Sequence, residues 1–292
     1  MDWKTIEAAF YRWLAYLPVR EFRDPAPLVN VLRLSGVIGR IGPVGGGLTL
    51  AGHERAIERA FRGRNLVTVA LAVNSPGGSP VQSALIARRI REIAGEKQIP
   101  VVAFAEDVAA SGGYWLACAA DEIFADRNSI IGSIGVISAG FGFAQTIRRL
   151  GIERRVHTAG SRKGMFDPFR DERPEDIARL VSIQGDVHES FKDMVRARRG
   201  ERLQGTDEEL FEGDVWTGNQ ALSLGLIDGL GDLRTVMRER FGERVKLRPI
   251  VPRSGVLRRP LTGAPAESRA AGHVAAALAA IDEWWHWKRF GL

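Results

Sequence analysis

The sequence predicts an α/β fold with a parallel-rich sheet and crossover helices. Three observations carry this. Apolar runs alternate with amphipathic helical stretches in the order strand, helix, strand, helix, strand. Two of the runs, LVTVALAV (66–73) and IPVVAFA (99–105), are almost continuously apolar, as strands covered on both faces are. Breaks such as NSPGGSP, rich in Gly, Pro, Asn and Ser, punctuate the strand ends.

Each element follows in order. LVNVLRLSGVIG (28–39) reads as a first strand running into the flexible surface segment GPVGGG. AGHERAIERAFRG (51–63) has helical spacing at Ala56, Ile57, Ala60 and Phe61. After the second strand and its turn, VQSALIARRIREIAG forms a helix with Val81, Leu85, Ile86, Ile90 and Ile93 as its core side. The third strand leads to a loop, a helix over about 111–120 and the short strand EIFAD. GFGFAQTIRRLG then reads as a helix and ERRVHTA as a strand. A long charged helix spans about 174–199, a turn and helix follow in SLGLIDGLGDLRTVMRERFG, and VKLRPIV is the last strand.

Residues 1–27 read as an amphipathic N-terminal segment, 251–268 as a Pro/Gly/Ala/Arg-rich linker and 269–292 as an aromatic C-terminal helix or tail. Trp284, Trp285, Trp287 and Phe290 lie beside Lys288 and Arg289 in that tail, a composition that suits a membrane interface or a subunit contact. No leader pattern and no 18-residue uncharged apolar run is expected to anchor the chain.

Composition narrows the chemistry. The 292 residues are 45% apolar and 26% charged, enough for a well-buried core. Cys118 is the single cysteine, so no intrachain disulfide forms. The five histidines show no metal-binding spacing, and neither a metal nor a cofactor is expected. The net charge of +6 is spread over helix faces such as ARRIRE, where acids alternate with bases, which argues against nucleic-acid binding.

The stretch EDVAASGGYWLACAADEIFADRNSIIGSIGVIS (106–138) poses the functional question. Ser111 sits between two alanines and two glycines. A serine before a helix ordinarily caps it, yet these small neighbours leave room for a bound backbone to approach. A nucleophilic serine needs a base, and no histidine lies in the stretch. HTAGSRKGMFDPFRD offers Lys163 and Arg162; of these, only lysine can lose its proton near neutral pH, given burial or nearby positive charge. Gly77 and Gly78 in SPGGSP allow a turn that aims backbone N–H groups at an oxyanion, or simply a strand-to-helix turn.

Four segments taken together resemble the signal peptide peptidase A family of serine proteases, the bacterial S49 peptidases of the short single-domain type. They are VNSPGGSP (73–80), EDVAASGGYWLACAADEIFAD (106–126), IIGSIGVI (130–137) and GSRKGMFDPFRDERPED (160–176), in family order. The resemblance spans residues 28–250. It implies a ClpP/crotonase-like fold and a Ser/Lys dyad. By motif, Ser111 matches the nucleophile, Lys163 the general base, Gly78 the oxyanion position with Gly112 as second N–H donor, and Ser133 the hydroxyl that orients the lysine. It implies an endopeptidase or oligopeptidase acting on hydrophobic peptides or unfolded chains, signal-peptide remnants among them, and a homo-oligomeric ring. Leu116, Ile137 and Phe141 are expected near the substrate pockets. The anchor and the tandem duplication of other relatives are not seen here, so a cytoplasmic enzyme peripheral to the inner membrane is expected. Two rivals remain: a crotonase-like acyl-CoA enzyme using Glu106 and Asp107 as acid and base, and a noncatalytic membrane-associated scaffold.

Overall fold

The computed structural model of the protein describes residues 24–40, 47–160, 162–251, 280, 284 and 286–291. The expected N-terminal segment 1–27 and linker 251–268 lie almost wholly outside these residues, as does most of the tail.

The elements run β1 (Leu28–Ser35), α1 (Leu50–Ala60), β2 (Leu66–Ser75), α2 (Pro80–Lys97), β3 (Val101–Ala110), α3 (Gly112–Ala117), β4 (Glu122–Ala125) and β5 (Ile130–Gly132). They continue with α4 (Ala144–Arg149), α5 (Pro174–Arg199), α6 (Asp207–Phe211), β6 (Val215–Thr217), α7 (Gly218–Ser223), β7 (Gly229–Leu230), α8 (Leu233–Phe241) and β8 (Lys246–Ile250). The sheet order is β6-β5-β3-β2-β1-β8, with β4 between β3 and β7. Every pairing is parallel except β5 with β6.

Alternation along the central strands explains their apolar runs. Leu32, Leu34, Leu71, Val73, Val101 and Ala103 enter the large core shared with α1, α2 and α3. Val29, Ala70, Val102 and Phe104 point to the other face, where Val236 and Met237 of α8 cover them. Both faces are buried, so neither tolerates polar alternation.

β3 is the strand that positions the site. Its first half pairs with β4 through Val102–Ala105, and its second half with β5 through Val108–Ala110. The register against β2 shifts between Val73 and Ser75. The Asn74 side chain fills that irregularity, accepting from the Val108 amide at 3.3 Å and donating to Asp107 at 2.7 Å.

Two expectations fail locally. ERRVHTA is irregular and exposed, not a strand. It has no apolar face to bury, and its charges pair within the same surface arm: Arg155 with Glu153 at 2.8 Å, and Arg154 with Asp167. Val81, expected on the core side of α2, is 64% exposed at the helix's first turn. Among the described residues no helix is long and apolar enough to cross a membrane.

Candidate active site

Ser111 stands where β3 turns into α3. Its amide donates to the Gly132 carbonyl at 2.7 Å, continuing the β3–β5 ladder for one residue. Its backbone then takes φ 53° and ψ −122°, a conformation costing a non-glycine residue about 1–3 kcal/mol. The side chain accepts no hydrogen bond from the α3 backbone, so the capping role open to a serine here is not taken. The hydroxyl is left to the cavity in front of it.

That cavity has a volume of about 630 Å³. Ser111, Ser133 and Gly78 all line it, three of the five residues expected at the site. Val37, Ile38, Pro76, Val136 and Ile137 supply apolar wall. Arg40, Glu212, and His286 and Arg289 of the C-terminal segment add charged and polar groups.

The glycine turn is built by close approach. Gly78 bridges to Ile38: the Ile38 amide donates to the Gly77 carbonyl at 2.7 Å and the Ser79 amide to the Ile38 carbonyl at 2.8 Å. This pairing leaves the Gly78 amide on the opposite side of the strand, without an acceptor among the described residues. A Cβ at Gly78 would fall 2.1 Å from the Ile38 oxygen, and one at Gly77 2.7 Å from the Ser111 Cβ. Only glycines let this turn lie against both partners. Gly112 is buried at the start of α3, with its Cα packed toward the Ser83 hydroxyl; its amide also has no acceptor among the described residues.

Ser133 is 9% exposed and, like Ser111, has a positive φ, 51°. Its amide donates to the Asp214 carbonyl at 2.6 Å and its carbonyl accepts from Gly135 at 2.9 Å.

Lys163 stands apart from this group. It is exposed, on a turn where its amide donates to Gly160 at 3.1 Å, and it lines no part of the Ser111 cavity. The neighbouring Gly164 and Phe166 line a separate cavity of about 270 Å³ against Asp176, Ile177 and Leu180 of α5.

Other expectations sort in the same way. Ile137 lines the Ser111 cavity, whereas Leu116 is fully buried in the core and Phe141 is 82% exposed outside it. Glu106 and Asp107 line a different cavity of about 590 Å³, Glu106 paired with Arg33 and Asp107 bonded to Asn74. The acid and base of the acyl-CoA rival are therefore separated from the glycine turn.

Sequence reading missed three contributors, His188, His286 and Arg289. His188 of α5 contacts the Ile134 carbonyl at 3.1 Å, and the helical spacing of His188 with buried Phe191 and Val195 carried that signal. The presence of His286 and Arg289 in the cavity wall had no local signal.

The family model described as Peptidase family S49 matches residues 94–246, more than half of the chain. The chain is 46% identical over 296 residues to the Na(+)/H(+) antiporter NhaA of Brucella abortus, covering 99% of this chain and 40% of that protein. It is 32% identical over 210 residues to the chloroplastic serine protease SPPA of Arabidopsis thaliana, covering 70% of this chain and 31% of that one. A putative protease of Synechocystis is 30% identical over 188 residues, 63% of this chain and 67% of its own length. The chain thus spans two fifths or less of the first two of these relatives. The solved structure of the 1510-N membrane-bound stomatin-specific protease is similar at 18% identity and a TM-score of 0.47, over 78% of this chain and 99% of that one. With its glycine turn, its serine at the β3–α3 junction and a family match over more than half its length, the chain belongs to peptidase family S49.

Proposed function

We propose that the chain is a serine peptidase that hydrolyses hydrophobic peptides by acyl transfer, with Ser111 as nucleophile and Lys163 as general base. The observation that carries this is the Ser111 turn. A strained serine that caps no helix opens on a cavity of mixed apolar and charged walls, beside a Gly78 amide that has no acceptor among the described residues. In this reading the α/β core is the ClpP/crotonase-like one.

Lys163 takes the Ser111 proton as Oγ attacks the peptide carbonyl, and Ser133 orients the amine. The Gly78 and Gly112 amides hold the tetrahedral oxyanion, each contributing about 3 kcal/mol to the barrier reduction. Lys163 returns the proton to the leaving amine, and water then releases the acyl group.

The dyad closes on assembly. The arm that carries Lys163 exposes Phe141, Leu150, Ile152, Phe166 and Phe169, and α5 adds Ile177 and Val181. An apolar surface of this kind marks a protein contact. A homo-oligomer that covers it desolvates Lys163 and brings it to Ser111. Because a stretch matching nearly this whole chain occurs within proteins named antiporters, peripheral work beside a membrane is part of the proposal. Signal-peptide remnants are then one substrate class.

The test is cleavage of a quenched apolar peptide by wild type, Ser111→Ala and Lys163→Ala. Wild type cleaves, and each variant loses at least about 10³-fold in kcat with native mass and melting temperature kept. Wild-type rates from Ser111→Ala would remove the proposal.

A further inference from the structure

We infer that His188 is a positioning residue for this reaction, holding the loop that carries Ser133; the inference rests on the peptidase reading above. His188 lies on α5, outside the residues that the dyad and the oxyanion site use. Its Nε2 is 3.1 Å from the Ile134 carbonyl. A carbonyl only accepts, so Nε2 carries the proton and donates.

The loop needs such a tie. Ser133 takes a positive φ, and conformations of this kind persist only when surrounding contacts over-determine them. Upstream, Gly132 is fixed by the Ser111 amide and the Ser133 amide is fixed by Asp214. Downstream, the Gly135 amide folds back on the Ser133 carbonyl, a three-residue turn centred on Ile134. The His188 bond grips the carbonyl at the centre of that turn. Beyond it, Val136 and Ile137 line the Ser111 cavity, and their backbone groups find no partner among the described residues. His188 therefore holds the turn from which Val136 and Ile137 lead off into the cavity wall.

The mount of His188 is rigid. One turn along α5, Phe191 stacks on Trp115 of α3 with ring centroids 4.8 Å apart, and Val195 is fully buried. One helix face thus holds both edges of the cavity: α3, which follows Ser111, through Phe191, and the Ser133 loop through His188.

Without the imidazole, the Ile134 carbonyl is released and Ser133 loses its fixed direction. Misplacement of an orienting group by about 1 Å costs on the order of 10²-fold in rate, and its effect falls on kcat. Gln can place an amide N–H where Nε2 stood. Asn is one bond shorter and cannot.

The experiment compares wild type, His188→Ala, His188→Gln and His188→Asn in the assembled protein. It measures kcat and KM on an apolar peptide, the rate of fluorophosphonate labelling at Ser111, and amide exchange across residues 131–137. Expected are a kcat at least about tenfold lower in the Ala and Asn variants, KM within about twofold, faster exchange across 131–137, and recovery of both readouts by Gln. Melting temperatures near wild type exclude general unfolding. Wild-type kcat in His188→Ala, or equal losses in all three variants, would overturn the positioning role while leaving the peptidase reading intact. A wild type that neither labels at Ser111 nor cleaves peptide would instead overturn the peptidase reading, and this role with it.

Discussion

Ser111 and Gly78 form a matched pair of unusual backbone positions. One is a serine with φ 53°, the other a glycine with φ 138° against the Ile38 carbonyl. Gly78→Ala must move that carbonyl or the turn. Its kcat is expected to fall on the order of 10²-fold, read by peptide cleavage alongside a melting curve. Cys118 shows the opposite case, a reactive residue type made inert. Burial pushes its thiol up to about 11, against the smaller pull of Arg199. Cys118 should resist iodoacetamide at pH 8 in the folded protein and react after denaturation, as followed by intact mass. Rapid alkylation of the native protein would show that the core around α3 opens. In the structure Ser111, Gly78 and Ser133 line one cavity; in sequence the first two were singled out by the small residues of their turns, and Ser133 through the family resemblance alone. His188 was not, since its partner lies 54 residues away and its signal was only a position on a helix face.

Among elements, α5 links two edges of the cavity, the Ser133 loop through His188 and α3 through Phe191. Its length was legible from spacing alone, and Pro174–Arg199 is what the structure has. Phe191→Ala removes the ring stacked on Trp115 and should cost about 3–5 kcal/mol in chemical denaturation. The C-terminal end of α5 is fastened by Arg199, which is 2% exposed and meets Asp228 through two hydrogen bonds at 2.7 and 3.0 Å. Burial raises the Asp228 carboxyl, but the Arg199 bonds, the Ile123 amide and the Arg202 charge outweigh it and hold the group below its ordinary value. A carboxyl depressed on folding stabilises above its unfolded pKa, about 4, and loses that contribution as pH falls through the folded value. Asp228→Asn should therefore lower the melting temperature at pH 7 and flatten its decline below about pH 4. An unchanged acid limb would remove this ion pair from the stability of α5. Elements that are exposed or very short were misread or unseen. ERRVHTA has the residues of a strand but no sheet edge to join, and β5, β6 and β7 are three residues long or shorter, below the reach of periodicity. The Thr217 and Gln220 capping box of α7 was a readable signal that the strand-and-helix pattern overlooked.

At the scale of the whole molecule, the sheet is packed on both faces, and Ser111 and Lys163 do not share a cavity among the described residues. The sheet is covered on both faces, while the arm from Ile137 to Val181 keeps large apolar groups in solvent: Ile137 is 67% exposed and Val181 58%. No sequence motif states where an arm docks, so the sequence carried no signal that Lys163 lies outside the Ser111 cavity. If assembly completes the site, specific activity should rise with protein concentration in step with oligomer formation by sedimentation. A constant specific activity across the monomer–oligomer transition would detach catalysis from assembly. The most direct test of the Ser111/Lys163 assignment is intact-mass analysis of wild type, Ser111→Ala and Lys163→Ala after exposure to a fluorophosphonate across pH 6–9. One adduct on wild type, mapped to Ser111, absent from Ser111→Ala and much slower to form in Lys163→Ala, is the expected result. No adduct on the assembled wild type, or equal labelling of wild type and Lys163→Ala, would mean that these two residues do not act as a dyad.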